Sequence, residues 1–408
     1  MGIKKQKKLF LHLWSTYAIY YFGRVNLSLV IPILLATQGL TKYDLGLVSS
    51  GFFFAYAIGQ FLHGQISERF NPYTYIAIGL IGSAIINMFL GFSGAFFWIL
   101  FIGEIMDGGF QSMGWSSTVR ANAELQKGEK RNLDKKSTIL GTSYQIGNSV
   151  AWLISAFVVG TLGWQWGFWV AAVIMFLRGI LLLIVRPKVK VKKRNPLKQL
   201  KHTLKLPIII SGFGMALLNM VRYGVIIWIP TYLVEQGSSI ASTGLKIFLI
   251  PIAGILGTLA YNKSKIDRNI LTIIFAGCLG VLFVSFRFLN GWAFVGVLIL
   301  SGFFLYGPHV FLVSTFPSRF VNKKIVASST GFIDGMAYMG AVIIGILVPF
   351  LLDITGNDWN VVFLFWFVLC LLIMILVMGL YLYMKKDGEA AEEANVLEYP
   401  QTKKFVKY

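Results

Sequence analysis

Two arginines lie inside otherwise apolar stretches of this chain and have the chemistry to bind an anion. Arg24 belongs to AIYYFGRVNLSLVIPILLATQG, and Arg222 belongs to LLNMVRYGVIIWIPTYLVEQG, 198 residues later. The same spacing separates Pro32 from Pro230, and the Gln-Gly pair at 38–39 from the pair at 236–237. A guanidinium at membrane depth costs at least ~2.5–3.5 kcal/mol on insertion scales, so it is seldom kept there without a role. We interpret the pair as the anion-binding centre of a duplicated chain.

Arginine suits this task because its planar fork binds phosphate or carboxylate through two parallel hydrogen bonds and keeps its charge when desolvated. Two arginines in one cavity repel each other unless a multivalent anion lies between them. The alternative is that each arginine is paired with a buried acid, for which the candidates are Glu104, Asp107 and Asp334.

Polar side chains share helical faces with both arginines. Residues at i, i+4 and i+7 lie on one face of a helix, which places Tyr17 and Tyr21 with Arg24. A stripe of tyrosine, asparagine and glutamine suits a cavity that hydrogen-bonds an oxyanion, although each tyrosine could equally be a packing residue. The other members of the predicted stripe are Tyr56, Gln60, Asn219 and Tyr223, and His309, which follows YGP, is a further candidate.

The acids Glu104 and Asp107 stand three residues apart in an apolar stretch, on one helical face. Buried acids in membrane proteins often relay protons. They could instead pair with Arg178 and hold helices together, which is the interpretation that we favour.

Composition indicates a polytopic membrane protein. Of 408 residues, 56% are hydrophobic and 13% are charged, whereas soluble domains have about 25% charged residues. The net charge of +20 lies mainly in alternate loops, so it indicates membrane orientation rather than nucleic-acid binding. Cys278 and Cys370 fit no disulfide framework or metal site. No Gly-rich loop precedes a Lys-Ser/Thr pair, so we expect no nucleotide and no other cofactor.

Twelve apolar stretches are long enough to cross a bilayer, which needs about 20 residues. They divide six and six around the basic segment RPKVKVKKRNPLKQLKHTLK. We predict an all-α membrane protein with halves at 1–186 and 206–384, a linker at 187–205 and a tail at 385–408. The predicted spans are 10–36, 44–66, 73–92, 96–118, 137–160, 164–186, 207–234, 241–261, 270–288, 293–314, 326–350 and 360–384.

The basic loops also predict the orientation. Lysines precede the first span, nine basic residues fill the mid-chain segment, and further basic residues follow the last span. Under the positive-inside rule both termini are cytoplasmic, in a cell membrane. The polar tail is expected to be disordered.

The motifs YYFGRVNLSLVIP, GGFQSMGWSS, RYGVIIWIPTYL, FFLYGP and STGFIDGMAYMGA together resemble the organophosphate:phosphate antiporter family of the major facilitator superfamily. That resemblance implies two six-helix repeat halves, with Arg24 and Arg222 on the phosphate and tyrosines around the cavity. The tyrosines that it places there are Tyr17, Tyr21, Tyr56, Tyr306 and Tyr338.

The chain departs from that family around the arginine pair. Val25 and Gln60 stand where glycerol-3-phosphate members carry lysines, Tyr144 beside Gln145 stands where they carry a histidine, and Pro251 replaces a glutamate. The superfamily also has a charged loop after span 2, which GQISERFNP resembles, so Glu68 and Arg69 are gating candidates. The second copy, with Asp267 and Arg268, is degenerate.

The leading hypothesis is a monomeric secondary transporter that exchanges an organic phosphate, of the sugar phosphate or glycerol phosphate type, for inorganic phosphate. One alternative is a proton-coupled symporter of a carboxylate or sugar acid, in which Glu104, Asp107 or Asp334 carries the proton. A second alternative is a non-transporting sugar-phosphate sensor on the same fold. No constellation of residues supports an enzyme.

Overall fold

The computed structural model describes residues 3–126, 130–189, 206–315 and 326–398, and the regular elements in these ranges are helices. Fifteen α-helices are numbered here in chain order. They are α1 (Ile3–Ile19), α2 (Phe22–Thr37), α3 (Lys42–Ile66), α4 (Pro72–Leu90), α5 (Phe97–Gln111), α6 (Gly114–Leu125), α7 (Lys130–Leu162), α8 (Gln165–Val185), α9 (Leu206–Glu235), α10 (Ile240–Ile247), α11 (Leu249–Lys263), α12 (Arg268–Ser285), α13 (Gly291–Val310), α14 (Val326–Ile354) and α15 (Trp359–Glu398).

Among the described residues, eleven helical stretches are long and apolar enough to cross a membrane. Each corresponds to a predicted span, because an apolar segment in lipid must form its backbone hydrogen bonds internally. The fourth predicted span, 96–118, differs. It is divided between α5 and α6 at Ser112 and Met113, where the Met113 N–H bonds to Phe110 three residues back. Glycine and serine are weak helix formers, which favours a break in this stretch.

The first span is also interrupted. α1 ends at Ile19 and α2 begins at Phe22, so Tyr20 and Tyr21 form a turn immediately before Arg24. The Tyr20 hydroxyl donates to the Ile76 carbonyl of α4 at 2.6 Å, which anchors this turn. Transporters commonly place binding residues at such helix interruptions.

The predicted duplication is visible in the backbone. Gly39 and Gly237, one repeat apart, both adopt left-handed conformations with φ of 67° and 83°. Gly59 and Gly257, also one repeat apart, both lie where a Cβ would collide with the neighbouring helix, at 2.1 Å from Ser112 Oγ and 1.8 Å from the Phe303 carbonyl oxygen. The two halves therefore pack their second and fourth spans alike.

The two halves approach closely at the end of the bundle where α2 ends and α3 begins, which we call the Lys42 end. A Cβ on Gly46 of α3 would lie 2.4 Å from the Gly345 carbonyl oxygen of α14. A Cβ on Gly244 of α10 would lie 2.1 Å from the Ala156 Cβ of α7. Glycine permits backbone approach that other residues prevent, so both contacts depend on these residue types.

The first part of the tail continues the last helix. Helix α15 continues from the last span to Glu398. The segment KKDGEAAEEANVLE contains alanine, glutamate, lysine and leucine, all strong helix formers, so it extends the helix that precedes it. Residues 399–408 and most of the basic linker, 190–205, lie outside the described residues.

Candidate functional site

Arg24 lies in the first turn of α2 and is 6% exposed. Its Nη2 donates to the Tyr56 hydroxyl and to Gln111 Oε1, both at 3.1 Å. Its guanidinium carbon also lies 4.6 Å from the ring centre of Tyr21 and 4.5 Å from that of Tyr56. Aromatic faces stabilise a desolvated cation. These contacts hold the guanidinium in place without neutralising it.

Arg222 lies in the middle of α9 and is 2% exposed. Its Nη1 lies 3.1 Å from His309 Nε2 on α13. Its guanidinium carbon is within 5.3 Å of the ring centres of Tyr144, Tyr223 and Tyr306. The two arginines therefore have the same kind of surroundings, one in each half.

A continuous aromatic wall joins the two arginines. The ring centre of Tyr21, which contacts Arg24, lies 6.1 Å from the ring centre of Tyr144, which contacts Arg222. Across the halves, the ring centres of Tyr56 and Tyr338 are 4.2 Å apart, and the Tyr223 hydroxyl donates to the Tyr338 hydroxyl at 3.4 Å. The structure therefore brings the arginines predicted from the repeat into one site between the halves.

Neither arginine forms a salt bridge with an acid among the described residues. Direct pairing of either arginine with Glu104, Asp107 or Asp334 is therefore absent from this conformation. Arg24 Nε and Nη1 and Arg222 Nε are buried without a hydrogen-bond acceptor from the described protein. Buried charge without compensation is unfavourable, and the described protein leaves these guanidinium donors unused.

Asp107 is held by neutral groups. Ser83 Oγ makes a short hydrogen bond to its Oδ1, and Asn87 Nδ2 donates to its Oδ2 at 2.9 Å. Gln111 Nε2 donates to Ser83 Oγ at 2.9 Å, while its Oε1 accepts from Arg24. A hydrogen-bonded path therefore runs from Arg24 to Asp107 through one amide and one hydroxyl. It positions the guanidinium and connects it to the carboxylate without direct contact between the two charges.

The favoured pairing of Glu104 and Asp107 with Arg178 is wrong. Arg178 instead donates to Thr16 Oγ1 at 2.9 Å and to the His12 carbonyl at 2.6 Å. The reason is depth. Arg178 contacts α1, whereas Asp107 on α5 contacts Ser83 and Asn87 of α4. Glu104 lines a cavity with Arg24, Ser28 and Ser49, closed on the other half by Ile226 and Ile227.

The remaining predicted binding residues surround these contacts. Gln60 Nε2 donates to the Tyr56 hydroxyl at 2.6 Å. The ring centres of Tyr17 and Trp115 are 4.8 Å apart. Asp334 is half-buried on α14, one turn before Tyr338. Besides the arginines, four predicted residues carry a buried polar atom with no partner among the described residues: Tyr144 Oη, Gln145 Nε2, Asn219 Oδ1 and His309 Nδ1.

Residue-type reasoning missed Gln111, which contacts Arg24, and Asn148, whose buried amide has no described partner at either atom. Asn148 follows Tyr144 by four residues, so the helical period alone could have identified it. Gln111 lies in the quoted motif GGFQSMGWSS, but nothing in its spacing connects it to Arg24.

The gating candidates after the eighth span make local contacts. Asp267 caps α12 by accepting from the Asn269 N–H at 2.8 Å, and Arg268 donates to the Asn262 carbonyl at 3.0 Å. Arg69 is exposed, and the side chain of Glu68 lies outside the described residues. Arg120 of α6 holds the first loop by donating to the Ser67 and Phe70 carbonyls.

An ion pair that crosses the halves lies at the Lys42 end instead. Lys42 Nζ of α3 is 2.5 Å from Glu235 Oε1 at the end of α9. Trp359 Nε1 and Asn357 Nδ2 donate to Glu235 Oε2 at 2.7 and 3.3 Å. Lys42 also bonds Asn357 and lies 5.4 Å from the Trp359 ring centre. We call these four residues the Lys42–Glu235 clasp.

Comparison with known proteins decides the family. The model of the Major Facilitator Superfamily matches residues 13–343. The chain belongs to this superfamily. Among solved structures, a mutant of the nucleoside transporter NupG has a TM-score of 0.74 at 16% identity, covering 92% of this chain and 99% of its own. An inward-facing, occupied bacterial homolog of the human lysosomal transporter Spinster has a TM-score of 0.73 at 13% identity, covering 95% and 98%. The predicted all-α membrane protein with the major facilitator superfamily fold is confirmed.

Curated relatives of this superfamily member carry related names. A probable hexose phosphate transport protein of Chlamydia pneumoniae is 25% identical over 86% of both chains. A glycerol-3-phosphate transporter of Bacillus subtilis is 28% identical over 90% of both chains. The membrane sensor protein UhpC of Escherichia coli is 24% identical, covering 83% of this chain and 84% of its own. The chain is therefore a multi-pass membrane protein of a transporter family, and not an enzyme.

Proposed function

We propose that this protein exchanges an organic phosphate for inorganic phosphate across the cell membrane. One observation carries the proposal: two buried arginines, one from each half, share an aromatic site without an acid partner among the described residues. The fork of arginine matches phosphate oxygens. The names of the relatives, hexose phosphate and glycerol-3-phosphate transporters, point to the same ligand class.

The two-arginine site also gives a physical reason for strict exchange. Arg24 and Arg222 belong to opposite halves, which rock against each other in alternating access. A dianionic phosphate between them draws the halves together. Without an anion, two desolvated cations would approach each other, which is unfavourable in a low-dielectric cavity. The empty carrier should therefore reorient slowly.

The proposal also assigns a membrane orientation to the protein and names the parts that move. The halves at 1–186 and 206–384 move about the site, with the linker at 187–205 and the tail at 385–408 on the cytoplasmic side. Both termini are then cytoplasmic, and the Lys42 end faces outward. In this conformation the clasp closes the outward end.

Proteoliposomes test the exchange directly. Uptake of radiolabelled phosphate should require phosphate or a phosphate ester inside the vesicles. Rapid uptake into phosphate-free vesicles would refute strict exchange, and uptake of a carboxylate driven by a pH gradient, without phosphate competition, would support symport instead.

Matched arginine variants test the clamp. Arg24→Lys and Arg222→Lys keep the charge but lose the fork, so each should reduce exchange at least about tenfold. Arg287→Lys is the control, because Arg287 is exposed outside the site. Near-normal exchange in either site variant would contradict the clamp.

A sensor is the second candidate, because the UhpC relative, a named membrane sensor protein, aligns with 83% of this chain. A sensor would bind a phosphate ester in a thermal-shift assay yet show negligible counterflow in the same preparation. Measuring both on one preparation separates the two functions.

A further inference from the structure

Glu104 is a buried acid that the proposed phosphate site does not use. It is 3% exposed, and no described residue forms a hydrogen bond or salt bridge with its carboxyl group. It lines the cavity that also contains Arg24, whose Nε and Nη1 have no described acceptor. Ile226 and Ile227 close this cavity from the other half. Glu104 therefore faces a small cavity where the two halves meet.

The repeat shows that the fold does not need an acid at this position. A Cβ on Gly108 would lie 2.1 Å from the Phe52 carbonyl oxygen, and one on Gly302 would lie 2.2 Å from the Ile250 carbonyl oxygen. Since Phe52 and Ile250 are one repeat apart, Gly302 is the counterpart of Gly108. The residue one turn earlier is Glu104 in the first half and Leu298, fully buried, in the second.

An arginine and an acidic side chain thus lie at two depths of one site. Gln111, which accepts from Arg24, follows Glu104 by seven residues of α5, which is about 10 Å along the helix axis. The cavity measures about 20 Å³ in this conformation, so the organic part of a ligand held at Arg24 by its phosphate would reach Glu104 in a conformation in which the halves have separated there. Closure of the halves would expel water around the carboxylate, and a desolvated carboxylate requires a cation or a donor.

We propose that Glu104 binds a cationic amino group on the organic part of the transported phosphate ester. The ligand class is a zwitterionic amino phosphate ester, such as an amino-sugar phosphate. This inference rests on the proposed function, because the phosphate must lie at the arginines. The proposal also agrees with the uncharged residues Val25 and Gln60, which stand where the glycerol-3-phosphate members of the resembled family carry lysines.

Three matched hexose phosphates test the proposal in phosphate-loaded proteoliposomes. Glucosamine 6-phosphate carries the amine, glucose 6-phosphate lacks it, and N-acetylglucosamine 6-phosphate keeps the substituent without charge. The wild type should show a half-saturation concentration about tenfold lower for the amine than for the other two, the ratio that one charge-assisted hydrogen bond supports. Glu104→Gln should reduce this ratio to about one, because it removes the charge that the amine ester alone contacts.

Controls make the outcomes decisive. Glu124→Gln removes an acid that pairs with Arg120 outside the site and should keep the wild-type ratio. An equal preference for all three esters in the wild type, or a ratio that survives Glu104→Gln, overturns the proposal. A thermal-shift arm with the same esters measures binding without flux. If phosphate exchange is absent but the amine stabilises wild type and not Glu104→Gln, exchange fails and the amine site stands.

Discussion

Replacing Glu235 with glutamine should shift the protein toward a conformation open at the Lys42 end. Glu235 accepts from Lys42, Trp359 and Asn357, so its carboxylate joins α9 to both α3 and the start of α15. Glutamine keeps the shape and one carbonyl acceptor but removes the charge. The clasp exists only while the halves are together at this end, so its loss destabilises the closed state alone.

The magnitude follows from exposure. The Lys42 and Glu235 side chains are 19% and 29% exposed, between the exposed pairs that contribute about 0.2–1 kcal/mol and buried charged hydrogen bonds at about 1.5–3 kcal/mol. We expect a loss of about 1–2 kcal/mol. Since about 1.4 kcal/mol is a tenfold change in an equilibrium constant, the ratio of open to closed protein should rise roughly 5- to 30-fold.

Spin labels at Gln38 and Gln236 measure this ratio. The two residues are exposed, one repeat apart, and belong to opposite halves at the Lys42 end. In a background without Cys278 and Cys370, electron–electron double resonance should show a longer distance whose population increases in Glu235→Gln.

Lys246→Gln is the matched control. Lys246 is also at the Lys42 end, bonds Ser238 at 2.7 Å and lies 5.8 Å from the Trp292 ring centre, all within the second half. It should leave the distance distribution unchanged. An unchanged distribution in Glu235→Gln, or an equal shift in both variants, would refute the assignment of the clasp as a gate.

Two further perturbations test contacts of the closed state and of the site. Gly46→Val should favour the same open conformation by at least about tenfold, because the valine side chain would collide with the Gly345 carbonyl. The distance between the spin labels measures this shift. An unaltered distance would exclude a tight contact between α3 and α14. Tyr56→Phe should weaken phosphate binding about three- to tenfold, because the Tyr56 hydroxyl accepts hydrogen bonds from both Arg24 and Gln60. Competition in the counterflow assay measures this loss. A half-saturation concentration equal to that of the wild type would contradict a positioning role for Tyr56.

The membrane spans and the duplication could be predicted from the sequence alone. Apolar length predicts spans because lipid leaves the backbone no other hydrogen-bond partners. The 198-residue spacing of Arg24 and Arg222 predicted both the duplication and the arginines that share one site. The break at Ser112 and Met113 was not predicted, because hydropathy registers composition and not the close approach of Gly59 to Ser112.

Sequence patterns could not predict which polar side chains bond to each other between helices. Asp107 and Arg178 are both ionisable residues in apolar stretches, so pairing them was a reasonable expectation from charge. Helix depth decided otherwise, since Asp107 meets Ser83 and Asn87 while Arg178 meets Thr16 and the His12 carbonyl. Periodicity assigns a face to a residue, but it does not give the height at which two helices touch.

The sequence by itself determined that this is a duplicated membrane protein with one buried arginine in each half. It did so because an ionised side chain in an apolar span is costly, and its repetition at a fixed spacing marks a shared role. Only the tertiary structure decided that the arginines meet through Tyr21 and Tyr144 without an acid partner among the described residues. It also placed Glu104 in one cavity with Arg24 and revealed the Lys42–Glu235 clasp, because both depend on how the two halves pack against each other.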